Sequence, residues 1–177
     1  MSYEKIVTKA VAVFSKDWVI YAVSTLIVFA LGILTLGLLF GPMMAGLGAM
    51  FLKAKKGKKP LFNDLFKFNG KFIGMAVMGL LICLLVCIGC VFLVLPGLLL
   101  ATLWMYSMFA MAYDNKGIIA SMKKSWAIVS KKGLWQHLVI LIAIGILNSL
   151  GGALVVGTLI TLPVTTGFLA MLYEENK

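Results

Sequence analysis

FIGMAVMGLLICLLVCIGCVFLVLPGLLLATLWMYSMFAMAY, residues 72–113, contains no Asp, Glu, Lys or Arg. A helix crosses ~30 Å of hydrocarbon with about 20 residues, so this run is long enough for two crossings. Its middle supplies the break, Val94-Leu95-Pro96-Gly97, where a residue without a backbone donor precedes one that tolerates unusual φ. Two further uncharged runs, 18–52 and 134–173, are also about twice the length of one crossing. Their breaks are expected at Gly32-Ile33-Leu34-Thr35-Leu36-Gly37 and at Leu150-Gly151-Gly152.

This reading predicts an all-α, polytopic integral membrane protein of six transmembrane helices arranged as three hairpins. The helices fall at 18–35, 37–53, 71–93, 97–113, 134–150 and 153–173. The whole chain, 1–177, is one domain: amphipathic segment 1–17 and hairpin 18–53, basic loop and amphipathic segment 54–70 and hairpin 71–113, amphipathic segment 114–133 and hairpin 134–173. The first hairpin leaves only about 17 residues per helix, the lower limit for spanning, and a re-entrant 41–52 segment is its alternative.

Composition agrees. The chain is 62% hydrophobic and 12% charged, against about a quarter charged in soluble domains. All sixteen basic residues are lysines, and the formal charge is +10. With six crossings, every charged residue emerges on one side, and the three opposite turns carry none. Lysine-rich loops stay in the cytoplasm, which places both termini there, in a multi-pass protein of the cell membrane. Charges precede the first apolar run with no small-residue cleavage site, so no removable signal peptide is expected.

Each hairpin follows an amphipathic stretch suited to the headgroup layer. Ile6, Val7, Ala10, Val11, Phe14 and Trp18 line one face of the first; Leu61, Phe62, Leu65, Phe66 and Phe72 serve in the second. Ile118, Ile119, Met122, Trp126 and Val129 do so in the third. Trp18, Trp135, Tyr113 and Tyr173 are placed for an interfacial aromatic belt. Residues 42–51 and 163–172 share Pro, Gly, Ala and Met at matching positions, a weak internal repeat.

Lys53, Lys55, Lys56, Lys58 and Lys59, with Lys123, Lys124, Lys131 and Lys132, are the expected contacts for anionic lipid or an acidic partner rather than nucleic acid. Gly37, Gly41 and Ala45 recur at four-residue spacing, as do Ala153, Gly157, Thr161 and Thr165, and both stripes read as helix contacts. They fit packing inside one chain and also a homo-oligomer. Pro42 and Pro163 are expected to bend their helices. Cys83, Cys87 and Cys90 share one face and read as a packing stripe, not a metal site. His137 reads as an interfacial anchor or a hydrogen-bond partner of a facing helix, and Asn148 as a structural hydrogen-bonding group.

No acid or base lies at membrane depth, which argues against a proton-coupled pump. Neither a Walker loop, HExxH nor GxSxG is present, so no enzyme activity and no cofactor or metal is expected.

Gly57-Lys58-Lys59-Pro60 leading into Asp64-Leu65-Phe66, Leu95-Pro96-Gly97, Ala120 with Ser125-Trp126, and Leu162-Pro163 together carry a resemblance. The chain resembles small polytopic membrane proteins related to the membrane domain fused to some bacterial glycerophosphodiester phosphodiesterases. That resemblance implies six helices with cytoplasmic amphipathic segments. It does not imply phosphodiesterase activity, because the catalytic domain is absent from this chain. The expected function is an accessory or scaffold module, or a subunit of a membrane complex. The alternative is a transporter or flippase for a neutral or amphipathic solute, with Pro42 and Pro163 kinking matched helices.

Overall fold

The computed structural model describes residues 3–153 and 155–177, and the regular structure among them is helical. In chain order the helices are α1 (Tyr3–Lys16), α2 (Trp18–Leu34), α3 (Phe40–Lys55), α4 (Phe72–Phe92), α5 (Val94–Trp104), α6 (Ser107–Tyr113), α7 (Ile118–Lys132), α8 (Leu134–Ala153) and α9 (Val155–Asn176). Two 3-10 turns, Phe62–Phe66 and Asn69–Lys71, link α3 to α4.

Four segments are long and apolar enough to cross a membrane: Phe72–Phe92, Val94–Tyr113 (α5 with α6), Leu134–Ala153 and Val156–Asn176. A fifth arises only if α1 and α2 count as one broken span, and they meet at 94°. The other two crossings of the sequence reading fall on α2 and α3, which are shorter, with 17 and 16 residues. At 1.5 Å per residue these helices rise only about 25 Å each. The last turn of α3 already carries Lys53 and Lys55, which shortens its apolar part further.

The turn between α2 and α3 lies at residues 35–39, later than the Gly32–Gly37 stretch suggests. Leu36 and Gly37 both have positive φ, 52° and 85°. Gly37 therefore shapes the turn and contributes nothing to a helix stripe, which corrects its expected role. Leu36, Gly37 and Leu38 line a hollow with Gly79, Leu80 and Cys83, in the middle of α4. From there α4 continues nine residues to Phe92, about 13 Å at helical rise. The tip of the first helix pair thus stops well short of the far end of its neighbour.

Pro42 occupies the first turn of α3, where its missing N–H has no helical partner to lose, so it does not bend the helix. Pro163 does lie inside its helix, α9. The two prolines of the repeat therefore play different parts. Its glycines play similar ones: a Cβ at Gly46 would overlap the Leu65 carbonyl, and one at Gly167 would overlap the Phe51 ring.

The α4–α5 break is a single extended residue, Leu93, whose N–H reaches the Gly89 carbonyl at 3.2 Å. Val94-Leu95-Pro96-Gly97 forms the first turn of α5, not the connection itself. Gly89 and Gly97 bring the two backbones together: a Cβ on Gly89 would stand 2.9 Å from the Gly97 Cα. Gly151 and Gly152 likewise lie within α8, which runs to Ala153; the connection at 154 lies outside the described residues. Gly157 approaches the Gly151 carbonyl, and Thr161 packs on Gly151. The predicted α9 stripe is thus a real helix contact, except that Ala153 sits on α8.

Cys83, Cys87 and Cys90 are exposed, although the Cys90 sulfur also lies against Gly97 of α5. Tyr173 is fully buried and Tyr113 partly so, while Trp18 and Trp135 are exposed; only the tryptophans suit an interfacial belt. His137 is buried rather than interfacial. Its Nδ1 lies 2.8 Å from the Gly133 carbonyl. A carbonyl can only accept, so Nδ1 carries the proton.

The amphipathic segments each present two apolar lines. Ile6, Ala10 and Phe14 are buried, whereas Val7, Val11 and Trp18 are exposed; Leu65 and Phe68 are buried, whereas Leu61, Phe62 and Phe66 are exposed. On α7, Met122 and Val129 are buried and Ile119 and Trp126 exposed. Ser125 on the buried side of α7 mends the gap between α5 and α6. Its hydroxyl donates to the Leu103 carbonyl at 2.7 Å and accepts from the Tyr106 N–H at 3.1 Å.

Gly46→Val should cost about 1–3 kcal/mol, because the backbone of the 3-10 turn cannot retreat as a side chain could. Gly145→Ala, with open space at its Cβ position, should not lower stability. Thermal unfolding of both variants in detergent checks the contrast.

Candidate functional site

The lysine-bearing end of the bundle encloses a cavity of about 730 Å³. Its rim holds Lys53, Lys56, Lys58, Lys67, Lys71 and Lys177, and its acids are Asp64 and Glu174. Six cations against two anions leave four positive charges in one concavity. The interior surface is supplied by Ala49, Leu52, Phe68, Ala112 and Tyr113.

Local structure explains the placement. α3 ends in a basic turn, and Gly57 with φ 75° reverses the chain so that Lys56 and Lys58 flank the corner. Asp64 then anchors the loop: its Oδ2 accepts from the Leu61 N–H at 2.9 Å and from Lys53 Nζ at 2.7 Å. Lys71 Nζ donates to the Met111 and Ala112 carbonyls at 3.3 and 3.1 Å, satisfying groups that the end of α6 leaves open. Lys177 pairs with Glu174 at 2.7 Å. Lys56, Lys58 and Lys67 have no ion pair or side-chain hydrogen bond among the described residues.

Beside the cavity, Asp114 ties three helices together. It follows α6, accepts from Lys124 of α7 and from the Tyr173 hydroxyl of α9, and lies 3.8 Å from Lys177 Nζ. Burial pushes its carboxyl up, but the two hydrogen bonds and the Lys124 and Lys177 charges outweigh that and hold it below the ordinary carboxylate range. Tyr113 donates to the Ala45 carbonyl at 2.9 Å. Its ring stacks near Phe68, Phe109 and Tyr173 at 5.7–6.2 Å.

Of the lysines singled out by sequence, Lys53, Lys56 and Lys58 meet at this cavity. Lys55 instead pairs with Glu175 at 2.9 Å, Lys124 serves Asp114, and Lys59, Lys131 and Lys132 are exposed away from it. Lys123 borders an apolar groove of about 500 Å³ formed with Leu81, Trp104, Met122 and Trp126. Lys67, Lys71, Lys177 and Asp114 went unnoticed. Lys71 and Asp114 directly flank the uncharged 72–113 run, the one signal that could have marked them. Gly41 meets Met108 and the Met75 carbonyl, and Ala45 is buried, so those two members of the expected α3 stripe do make helix contacts.

Polar side chains also meet between α8 and α9. Asn148 Nδ2 donates to Thr165 Oγ1 at 3.3 Å, and Thr165 donates to the Thr161 carbonyl at 2.8 Å. Among the described residues no group of three His, Cys, Asp or Glu side chains is arranged to hold a metal.

Asp114→Asn should lower stability at neutral pH by on the order of 1–3 kcal/mol, the range for hydrogen bonds to a charged group. Because the folded carboxyl titrates below its unfolded value of about 3.9, its contribution is complete above that pH and is lost as pH falls through the folded value. Unfolding midpoints measured from pH 7 down to pH 3 should show a steeper acid decline in the natural protein than in the variant, which keeps only the share of the other lysine-paired carboxyls such as Glu175.

Comparison with protein-family models, curated proteins and solved structures finds no match for this chain.

Proposed function

We propose that this chain is a non-enzymatic membrane module, an accessory or scaffold protein or a subunit of a membrane complex, that holds anionic lipid or an acidic partner at a lysine-rich cytoplasmic end. The observation that carries the reading is the cavity rim, where Lys56, Lys58 and Lys67 stand unneutralised beside already paired acids. Cations crowded at one end of an apolar bundle attract anionic headgroups, which lie at that level on the cytoplasmic side. The lysine stems can lie along apolar surface while their ammonium groups reach water.

In this reading four segments cross the bilayer and the α2–α3 hairpin enters from the cytoplasmic side without leaving it. The shallow tip beside the middle of α4 supports that, as does the short apolar length of α3. With four crossings all lysines still share one side, so the orientation argument is unchanged. The perpendicular setting of α1 on α2 suits a helix lying in the interface, its exposed Val7 and Val11 toward lipid. The groove at Trp104 and Trp126 offers an apolar contact for a chain of lipid below Lys123. A kinship with the phosphodiesterase-fused membrane domains belongs to the same proposal and rests on the short motifs alone.

Accessibility labelling tests the topology. Lys56→Cys, Lys132→Cys, Gly152→Cys and Leu36→Cys are placed singly in a background without Cys83, Cys87 and Cys90. An impermeant thiol reagent on intact cells should label the Gly152→Cys protein only. Labelling of Leu36→Cys from outside would restore six crossings, and labelling of Lys56→Cys would invert the molecule. The lipid arm uses nanodiscs: binding should favour anionic over neutral lipid and weaken as salt shortens the screening length.

A further inference from the structure

We infer that the cavity beneath the 56–58 corner is a discrete site for a phosphate monoester, with the phosphate seated among Lys56, Lys58 and Lys67. This rests on the anionic-lipid reading above and narrows it from a charged surface to one pocket and one headgroup chemistry.

Three features of the cavity select that chemistry. First, its volume of about 730 Å³ falls in the range of small-molecule sites. Second, its spare charge is concentrated: Asp64 and Glu174 are neutralised by Lys53 and Lys177, and Lys71 is held on carbonyls. Three ammonium groups remain around one hollow, and their mutual repulsion is relieved most by a ligand that brings more than one negative charge. Third, the chain contains no arginine. A guanidinium fork rewards planar, bidentate carboxylate or phosphate, whereas a lysine is a compact point charge that rewards charge density. A phosphate monoester carries about −1.5 to −2 at pH 7, and a phosphodiester or carboxylate carries only one negative charge. The Ala49, Leu52, Phe68 and Ala112 lining then gives an apolar wall for the rest of the molecule.

That chemistry has two sources, the headgroup of a monoester lipid such as phosphatidic acid, or a soluble monoester such as glycerol phosphate. The full-length protein is reconstituted in phosphatidylcholine nanodiscs carrying phosphatidic acid or, at equal fraction, phosphatidylglycerol, and bound lipid is counted by native mass spectrometry. One phosphatidic acid should bind about tenfold tighter than phosphatidylglycerol, a difference of about one extra charge opposite several lysines. The variant K56Q/K58Q/K67Q should lose that preference, and K116Q/K131Q/K132Q, with equal charge loss outside the cavity, should keep it. All six side chains lack ion pairs among the described residues, and unfolding midpoints of both variants against the parent confirm that they fold.

Glycerol phosphate displacing the bound lipid assigns the site to a soluble ligand; no displacement assigns it to the lipid. Equal binding of the two lipids, or equal loss in both variants, overturns the site while leaving a general anionic preference standing. Loss of any preference for anionic over neutral lipid in the parent protein removes the broader reading as well.

Discussion

Hydrocarbon offers a peptide group no hydrogen-bond partner, and that constraint organises this molecule from its turns to its charged end. At the α2–α3 turn, the N–H groups of Thr35, Leu36, Gly37 and Leu38 reach the carbonyls of Leu31, Ile33, Gly32 and Thr35 at 2.7–3.1 Å. The Thr35 hydroxyl adds two more bonds, donating to the Leu31 carbonyl and accepting from the Leu39 N–H. A turn closed on itself in this way needs no water, which is what permits it to end beside the middle of α4. The α4–α5 break obeys the same rule with a single residue, and the α5–α6 break borrows the Ser125 hydroxyl from α7.

Packing follows from the same medium. Between helices in lipid there is no hydrophobic drive, so close approach depends on small residues and on polar groups with no better partner. α3 illustrates the result. It is short, yet half of its residues are buried, because Gly46, Gly48 and Ala45 let the 3-10 turn, α6 and α9 close around it. The Tyr113 hydroxyl on the Ala45 carbonyl and the Asn148–Thr165 pair add directional bonds at the contacts that glycine opens.

What the sequence makes legible is the medium and the place of the long apolar helices: uncharged runs locate α2, α3, α4, α8 and α9 to within a few residues, whereas the α5–α6 break at Met105-Tyr106 carries no glycine or proline to mark it. Depth was not legible, because a 17-residue apolar helix has the same composition whether it spans or turns back. Small-residue periodicity found the Gly41–Ala45 and Gly157–Thr161 contacts but overextended to Gly37, since a glycine required by positive φ looks identical to one required by packing. For the site, linear clustering favoured the five lysines at 53–59. The pocket instead draws Lys67, Lys71 and Lys177 from three places in the chain. Their convergence depends on how α4 begins and α9 ends.

The charge balance turns this convergence into chemistry. Acids at the lysine-rich end are few, and they are placed where elements must be joined: Asp64 on the loop after α3, Asp114 between α6, α7 and α9, Glu175 opposite Lys55. Each fixes one lysine or more as a structural cation. The remaining lysines cannot be neutralised inside the protein. Along α1 and α7 they are spread over exposed helix faces, where salt screens each of them separately. At the 56–58 corner and Lys67 they line one hollow together. The same excess of lysine is thus spread along most of this end and gathered around a single hollow at one place on it.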